Sequence, residues 1–207
     1  MLKTLLLFYQ KNLKKFSIKD SQWRLWCKEK KSLKEKEWVI IESILTQQTN
    51  WQNVEKAMAN LKRKKNDSLR AIAALSKNKL AQIIKSSGFY QIKAGYLKNI
   101  ARFFLKNGGV KKLEKLETEI LRKKLLSIKG VGYETADSIL LYGFNRPIFV
   151  IDAYTKRFVK NLKLKVGNLS YNHLQQFFMK VFPKNTFFYQ KFHAIIVLYY
   201  KNKKQKL

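Results

Sequence analysis

Two glycines and one aspartate are the residues whose types and spacing most directly suggest chemistry. Gly130 and Gly132 flank Val131, and Asp152 follows twenty residues after Gly132. Closely spaced glycines permit positive φ angles and let backbone N–H groups approach a ligand, which suits a phosphate. An aspartate that caps a helix stays ionised, so its carboxylate remains available to face a developing positive charge. These residues predict an anion-binding hairpin near an acid suited to catalysis.

Helices must position both features. Apolar residues recur after the glycines at the spacing of one helix face, at Ala136, Ile139, Leu140, Gly143 and Phe144. We therefore predict a helix that begins near Tyr133, with its N terminus and free N–H groups directed at the hairpin. Asp152 follows the extended apolar stretch 147–151. Taken alone, the glycines also fit an ordinary turn between helices, and Asp152 fits an ordinary helix cap.

The rest of the chain predicts an all-α protein. Helical spacing recurs, for example at Trp38, Ile41 and Leu45, whereas strand-like alternation is scarce. A length of 207 residues allows one domain or two small ones, and a hydrophobic fraction of 46% suffices for a folded core. The single cysteine, Cys27, excludes an intrachain disulfide and fits a reducing cytoplasm.

The charge of the chain predicts a polyanionic partner. Lys and Arg number 44 against 13 Asp and Glu, which gives a formal net charge of +31. Such a field favours nucleic acid, with an affinity that falls steeply as salt rises, although a lysine-rich proteome or a solubility preference also explains part of it. The apolar run 5–9 is too short for a membrane span or a signal segment. We expect no membrane partner.

The hairpin, the helix after it and Asp152 resemble the helix-hairpin-helix glycosylase superfamily, whose members remove damaged or mispaired bases from DNA. Residues 45–57 are similar to the helix junction that lines the base pocket in relatives of endonuclease III. Two further blocks, 87–94 and 189–194, resemble one branch, that of the bacterial 3-methyladenine DNA glycosylase III. Together the matching blocks span roughly residues 37–201.

The resemblance implies two helical domains with an active-site cleft between them. Residues 37–147 would form a central helical domain that contains the helix-hairpin-helix at about 119–144. Residues 1–36 and 148–207 would form the second domain. The base pocket would lie in the cleft, with Asp152 at its mouth.

The resemblance also implies a role for each candidate site residue. Asp152 would stabilise the oxocarbenium-like sugar and orient or deprotonate the attacking water. Gln47 would enter the base stack vacated by the extruded base, Trp51 would stack on a cationic alkylated base, and Lys201 would line the pocket. The residues implied to grip the DNA backbone are Lys129, Gly130, Val131, Gly132, Tyr133 and Thr135.

Ordinary structural roles remain open for several of these residues. Gln47 also fits a polar helix end, Trp51 fits a core tryptophan, and Lys201 fits one lysine of a basic tail. His193, on an apolar helix, fits a core histidine. Trp23 and Trp26 lie near the position of a tryptophan-rich pocket wall in the branch, but their surroundings do not reproduce its pattern.

Two departures from the family pattern affect the expected activity. Bifunctional relatives carry a lysine in the hairpin helix that attacks the sugar, and Glu134 occupies the matching position, so we expect base release without efficient strand cleavage. Lys129 precedes the hairpin and is expected to point at phosphate instead. Many relatives hold an iron–sulfur cluster with four cysteines, which one cysteine cannot do. We therefore predict no cofactor and no metal.

The sequence thus predicts a monomeric, cytoplasmic, nucleoid-associated DNA glycosylase with weak or absent lyase activity. Its expected partner is double-stranded DNA with alkylated purines such as 3-methyladenine. One alternative is the same scaffold acting on oxidised pyrimidines or mismatched bases. The other is a DNA-binding protein without catalysis that uses the hairpin only to hold the backbone.

Overall fold

The computed structural model describes residues 2–18 and 21–204. The predicted second domain also includes residues 1, 19, 20 and 205–207, which lie outside the described residues. Within the described part of the chain every regular element is helical, and the all-α prediction is confirmed.

The helices follow one another with short connections. The first group is α1 (Leu2–Leu13), α2 (Ser21–Trp26), α3 (Leu33–Leu45), α4 (Trp51–Arg63), α5 (Leu69–Ala74), α6 (Lys77–Ile83), a 3₁₀ turn (Lys85–Ser87) and α7 (Tyr90–Lys106). The second is α8 (Gly109–Leu113), α9 (Thr118–Leu126), α10 (Tyr133–Ser138), a π-helical segment (Ile139–Gly143), α11 (Ala153–Asn161), α12 (Tyr171–Val181) and α13 (Thr186–Lys204).

The chain divides into two compact units. The central unit is Lys30–Ile139, and the terminal unit combines Met1–Glu29 with Leu140–Leu207. The helix-hairpin-helix, α9 to α10, belongs to the central unit. Asp152 belongs to the terminal unit.

Helix α7 organises the central unit. Its apolar face buries Ala94, Leu97, Ala101 and Phe104 at helical spacing, and it packs against α5, α6, α3 and α8. The same helix carries the buried Lys93, whose ammonium donates hydrogen bonds to backbone carbonyls outside the helix. These bonds compensate for part of the desolvation of the charge. Helix α7 therefore also holds turns of the chain in place.

An aromatic core supports the terminal unit. Phe149 stacks on Phe178 with ring centroids 4.6 Å apart and contacts Phe192 at 6.2 Å. Phe149 lies in the extended stretch before Asp152, and its carbonyl accepts a hydrogen bond of 2.7 Å from the buried Gln175 amide. Ring packing and this hydrogen bond therefore hold both the side chain and the backbone of Phe149, three residues before Asp152.

No helix in the described part of the chain is both long and apolar enough to span a bilayer.

Candidate active site

Asp152 caps α11. Its Oδ1 accepts a hydrogen bond of 2.7 Å from the Thr155 N–H, and its backbone is extended, as in an N-cap residue. Burial raises the pKa of the Asp152 carboxyl, but the electrostatic attraction of the nearby His193 imidazole and the hydrogen bond from the Thr155 N–H outweigh that effect. The pKa therefore lies below the ordinary aspartate value, and Asp152 is ionised at neutral pH.

His193 is the basic side chain that the structure places beside the Asp152 carboxylate. The His193 Nε2 lies 3.6 Å from the Asp152 Oδ2, which is longer than a normal hydrogen bond. The Nδ1 of the same ring lies 2.6 Å from the Tyr142 hydroxyl. His193 is only 4% exposed, which agrees with its expected position in the core. Its contact with Asp152 was not predicted from the sequence.

Helix α2 adds an aromatic wall to this group. The Trp23 ring lies 6.1 Å from the His193 ring, and the Trp26 ring lies 5.0 Å from the Tyr142 ring. Both indoles are nearly fully buried. Trp23 and Trp26 therefore share one aromatic cluster with the residue that faces Asp152.

The two hairpin glycines serve different purposes. Gly130 has a φ of +100°, and a Cβ at this position would lie 2.2 Å from ring carbons of Tyr96. Gly132 has a φ of −92°, which any residue adopts, and no atom lies within 4 Å of its Cβ position. Only Gly130 needs the left-handed conformation and close packing, whereas Gly132 leaves open space for a ligand.

Val131 faces the protein interior. Its N–H donates a hydrogen bond of 2.9 Å to the Ile128 carbonyl, and its side chain is 6% exposed. Val131 thus anchors the hairpin turn, while the neighbouring Tyr133 ring is 45% exposed. Lys129 is also exposed, and its carbonyl accepts a bond of 3.1 Å from Asn99.

A buried ion pair joins the two helices of the hairpin. Arg122 on α9 binds both carboxylate oxygens of Asp137 on α10, at 2.6 Å and 2.9 Å. Asp137 is fully buried, and the geometry is bidentate, the strongest arrangement for this pair. The guanidinium also lies 5.3 Å from the Tyr133 ring. The hairpin is therefore held as one rigid element.

Gln47 is bound to the hairpin. Its Nε2 donates hydrogen bonds of 3.0 Å to the Gly130 carbonyl and 3.0 Å to the Thr135 hydroxyl. The structure thus brings together three of the predicted DNA-binding residues. The next residue, Gln48, is exposed and has a φ of +50°, which is unusual for a residue with a side chain.

The remaining candidates occupy helix ends. Trp51 is half-buried at the first position of α4, and Lys201 is half-buried near the end of α13. Lys201 lies eight residues beyond His193 on that helix, about 12 Å along its axis. Glu134 is exposed in the first turn of α10.

A family model described as HhH-GPD superfamily base excision DNA repair protein matches residues 41–184. This chain belongs to the HhH-GPD superfamily. The matched region contains the hairpin, Gln47, Trp51 and Asp152. The superfamily predicted from the hairpin and the aspartate is confirmed.

Two sequence relatives agree with this membership. The protein of Methanocaldococcus jannaschii (strain ATCC 43067) named "Putative DNA repair glycosylase MJ1434" is 44% identical over 164 residues, covering 77% of this chain and 74% of that protein. Endonuclease III of Thermotoga maritima is 32% identical over 127 residues, covering 60% of this chain and 55% of that enzyme. This HhH-GPD protein is therefore a DNA glycosylase of base excision repair, and DNA is its partner.

Solved structures show the same fold over the whole chain. The H. pylori 3-methyladenine DNA glycosylase MagIII, in a crystal structure with 1,N6-ethenoadenine, is 28% identical with a TM-score of 0.77. The match covers 100% of this chain and 98% of that chain. A non-covalent endonuclease III–DNA complex has a TM-score of 0.74 at 20% identity, covering 96% of this chain and 85% of that one.

The residues of this HhH-GPD protein do not fit the iron–sulfur cluster of some superfamily members. Such a cluster needs four cysteine thiolates, and these 207 residues contain one cysteine, Cys27. Within residues 2–18 and 21–204, no group of three His, Cys, Asp or Glu side chains is arranged to hold a metal ion.

Proposed function

We propose that this protein is a monofunctional DNA glycosylase whose substrates are alkylated purines, with 3-methyladenine foremost. The observation that carries the proposal is the largely buried, ionised carboxylate of Asp152, which faces His193 in an aromatic cluster. The likeness to a 3-methyladenine glycosylase over the whole chain supports the substrate class. Aromatic faces attract a desolvated cation, and an alkylated purine carries such a charge.

In the proposed reaction, water replaces the base at the sugar C1′. As the N-glycosidic bond breaks, its electron pair moves to the base nitrogen and neutralises the charge of the alkylated ring. The sugar gains oxocarbenium character, which the Asp152 carboxylate stabilises electrostatically. The water oxygen then bonds to C1′, and Asp152 accepts a proton from that water.

Glu134 supports base release without strand cleavage. It occupies the hairpin-helix position at which bifunctional relatives carry the lysine that forms a Schiff base, and a carboxylate cannot form one. Lys129 is exposed and precedes the hairpin. We propose that its ammonium contacts phosphate, together with the open backbone at Gly132.

Base release from methylated DNA tests this function. We expect 3-methyladenine to be released from an alkylated duplex in preference to 7-methylguanine and unmodified bases, as measured by chromatography of the free bases. With an abasic duplex and borohydride, we expect no trapped protein–DNA complex. Release of oxidised pyrimidines instead, or an efficient borohydride adduct, would replace this proposal with the endonuclease III type of activity.

We further propose that Gln48 and Phe89 wedge the duplex open, while Gln47 braces the hairpin. Both wedge residues are exposed and have positive φ angles, +50° and +46°. The buried Lys93 ammonium is bonded close to both residues. It donates a hydrogen bond of 2.7 Å to the Leu45 carbonyl, before Gln48, and one of 2.6 Å to the Ser87 carbonyl, before Phe89. Strained backbone with exposed side chains is typical of functional sites.

Substitutions in the two turns separate wedging from bracing. We expect Gln48→Ala and Phe89→Ala each to slow base release about tenfold, since stacking against bases contributes roughly 1–3 kcal/mol. Gln47→Ala should instead weaken DNA binding, because it removes the two bonds to the hairpin. Single-turnover release and DNA affinity are the two measurements.

Leu105→Ala is the matched control for Phe89→Ala, since Leu105 is an exposed apolar residue at the other end of α7. We expect it to behave like the wild type. If Gln47→Ala lowered the release rate with DNA affinity intact while Gln48→Ala had no effect, the family-based assignment of Gln47 to the vacated stack would be correct and ours wrong.

A further inference from the structure

We infer that His193 is a positioning residue for Asp152, and that Tyr142 sets which imidazole nitrogen presents its N–H to the carboxylate. The role rests on the proposed function, because it concerns the direction and charge of the carboxylate that faces the sugar. His193 itself need not touch the substrate. All the groups involved lie within the terminal unit.

The contacts form a chain of three side chains from three elements. Tyr142 in the π-helical segment is fully buried, and its hydroxyl lies 2.6 Å from the His193 Nδ1 and 3.4 Å from the Gln190 carbonyl. On the opposite edge of the imidazole ring, Nε2 lies 3.6 Å from the Asp152 Oδ2. Oδ1 is already engaged with the Thr155 N–H, so His193 orients the second oxygen.

The position of the protons follows from these partners. Burial raises the pKa of the Tyr142 hydroxyl well above its ordinary value, so the hydroxyl keeps its proton. When the imidazole is neutral, Tyr142 donates to Nδ1 and the ring proton resides on Nε2. When the imidazole is protonated, both nitrogens carry protons and Tyr142 donates to the Gln190 carbonyl. The Asp152 carboxylate therefore faces an N–H in both states.

The remaining tautomer is disfavoured. A proton on Nδ1 alone would direct the Nε2 lone pair at a carboxylate oxygen, which is repulsive. Because the Tyr142 contact with Nδ1 is the shorter of its two, the hydroxyl selects the tautomer that attracts Asp152. Tyr142 thus acts on the carboxylate through His193.

The interaction with His193 is the largest contribution that offsets the burial of the Asp152 charge. Among the described residues, the ionisable groups that interact electrostatically with Asp152 or Tyr142 include Tyr154 and Cys27, with Arg157 beside Tyr154. The pKa of Tyr154 is raised by burial and by the Asp152 charge, so its hydroxyl is neutral at working pH. Without the imidazole, fewer contacts would offset the rise that burial causes in the pKa of Asp152.

Two replacements of His193 distinguish positioning from simple packing. Gln places an amide N–H near the position of Nε2, whereas Asn places its amide near Nδ1 and cannot reach Asp152. We expect His193→Asn to raise the titration midpoint of Asp152 by about one pH unit, equivalent to a tenfold loss of charge stabilisation. His193→Gln should restore a midpoint near that of the wild type. His173→Asn makes the same change at the other histidine and should leave the midpoint unchanged.

Carbon-13 labelling of the aspartate side-chain carboxyls measures this directly. The chain has four Asp residues, and Asp152→Asn identifies the signal by its disappearance. This titration needs no substrate. In parallel, kcat for base release should fall about tenfold in His193→Asn, because a carboxylate that is no longer held in direction is poorly placed at the reacting sugar. The acid limb of the pH profile should move to higher pH, and the Kd for DNA should stay unchanged.

The outcomes separate the two proposals. If Asp152 titrates alike in the wild type and in His193→Asn, the positioning role is wrong. If the titration shifts as expected but the wild type releases no base from any lesion, the proposed function fails and the contact stands. If His193→Asn does not fold, Tyr142→Phe provides the test, because loss of the hydroxyl frees the tautomer and must change the titration of Asp152.

Discussion

Asp152→Asn should abolish base release, with a loss of at least about a hundredfold in the single-turnover rate, because the electrostatic stabilisation of the oxocarbenium-like sugar disappears. The amide keeps the shape of the side chain, and its oxygen can still accept the bond from the Thr155 N–H. The cap of α11 therefore survives. We expect affinity for a lesion duplex, measured by fluorescence anisotropy, to stay near that of the wild type.

The same variant has a predictable effect on stability. The folded-state pKa of Asp152 is lowered, so the ionised side chain stabilises the fold above the unfolded pKa, and this contribution is lost as the pH falls through the folded pKa. Asp152→Asn removes that contribution and should be somewhat less stable than the wild type at neutral pH. The difference should shrink under acidic conditions.

Binding and catalysis must separate in this variant for the assignment to hold. If Asp152→Asn lost DNA binding and turnover equally, the carboxylate would be a structural cap, and a DNA-binding role without catalysis would explain the hairpin. Asp67→Asn is a useful control, since Asp67 also has a lowered pKa, which it owes to Lys34 and Trp38 in the central unit. We expect that change to leave base release unaffected.

Local patterns predicted the features that depend on neighbouring residues. The helix after the hairpin begins at Tyr133, as its apolar spacing indicated, and Asp152 caps the helix that follows it. Both depend on interactions within a few residues of the chain. The superfamily could be recognised for the same reason, because its hairpin and aspartate are short, contiguous motifs.

Features that depend on distant contacts or on backbone geometry were not predictable. His193 lies 41 residues from Asp152, and an apolar helix gives no sign of which face meets the carboxylate. The difference between Gln47 and Gln48 lies in one φ angle and in bonds to a hairpin more than 80 residues away. The roles that we propose for the two adjacent glutamines rest on these structural differences, which the sequence does not show.

Gly130→Ala should destabilise the hairpin by about 2–4 kcal/mol, the combined cost of a strained backbone and an overpacked contact. The new methyl would meet the Tyr96 ring at 2.2 Å, and a φ of +100° is unfavourable for alanine even without that contact. Urea unfolding monitored by circular dichroism measures the loss. The Gly130 carbonyl also accepts a hydrogen bond from the Gln47 amide, so we expect both DNA affinity and stability to fall.

Gly132→Ala is the matched control, because the two glycines differ in the constraint that each satisfies. At Gly132 the φ of −92° suits alanine and no atom lies within 4 Å of the new methyl, so stability should hold. DNA affinity should nevertheless drop, since the methyl fills the open space that we assign to a phosphate.

A Tyr96→Ala partner change should rescue the stability of Gly130→Ala only in part, because it relieves the contact and leaves the backbone strain. Full rescue would mean that packing alone requires the glycine, and an equal loss of stability in Gly132→Ala would show that the hairpin as a whole, rather than Gly130, sets the constraint.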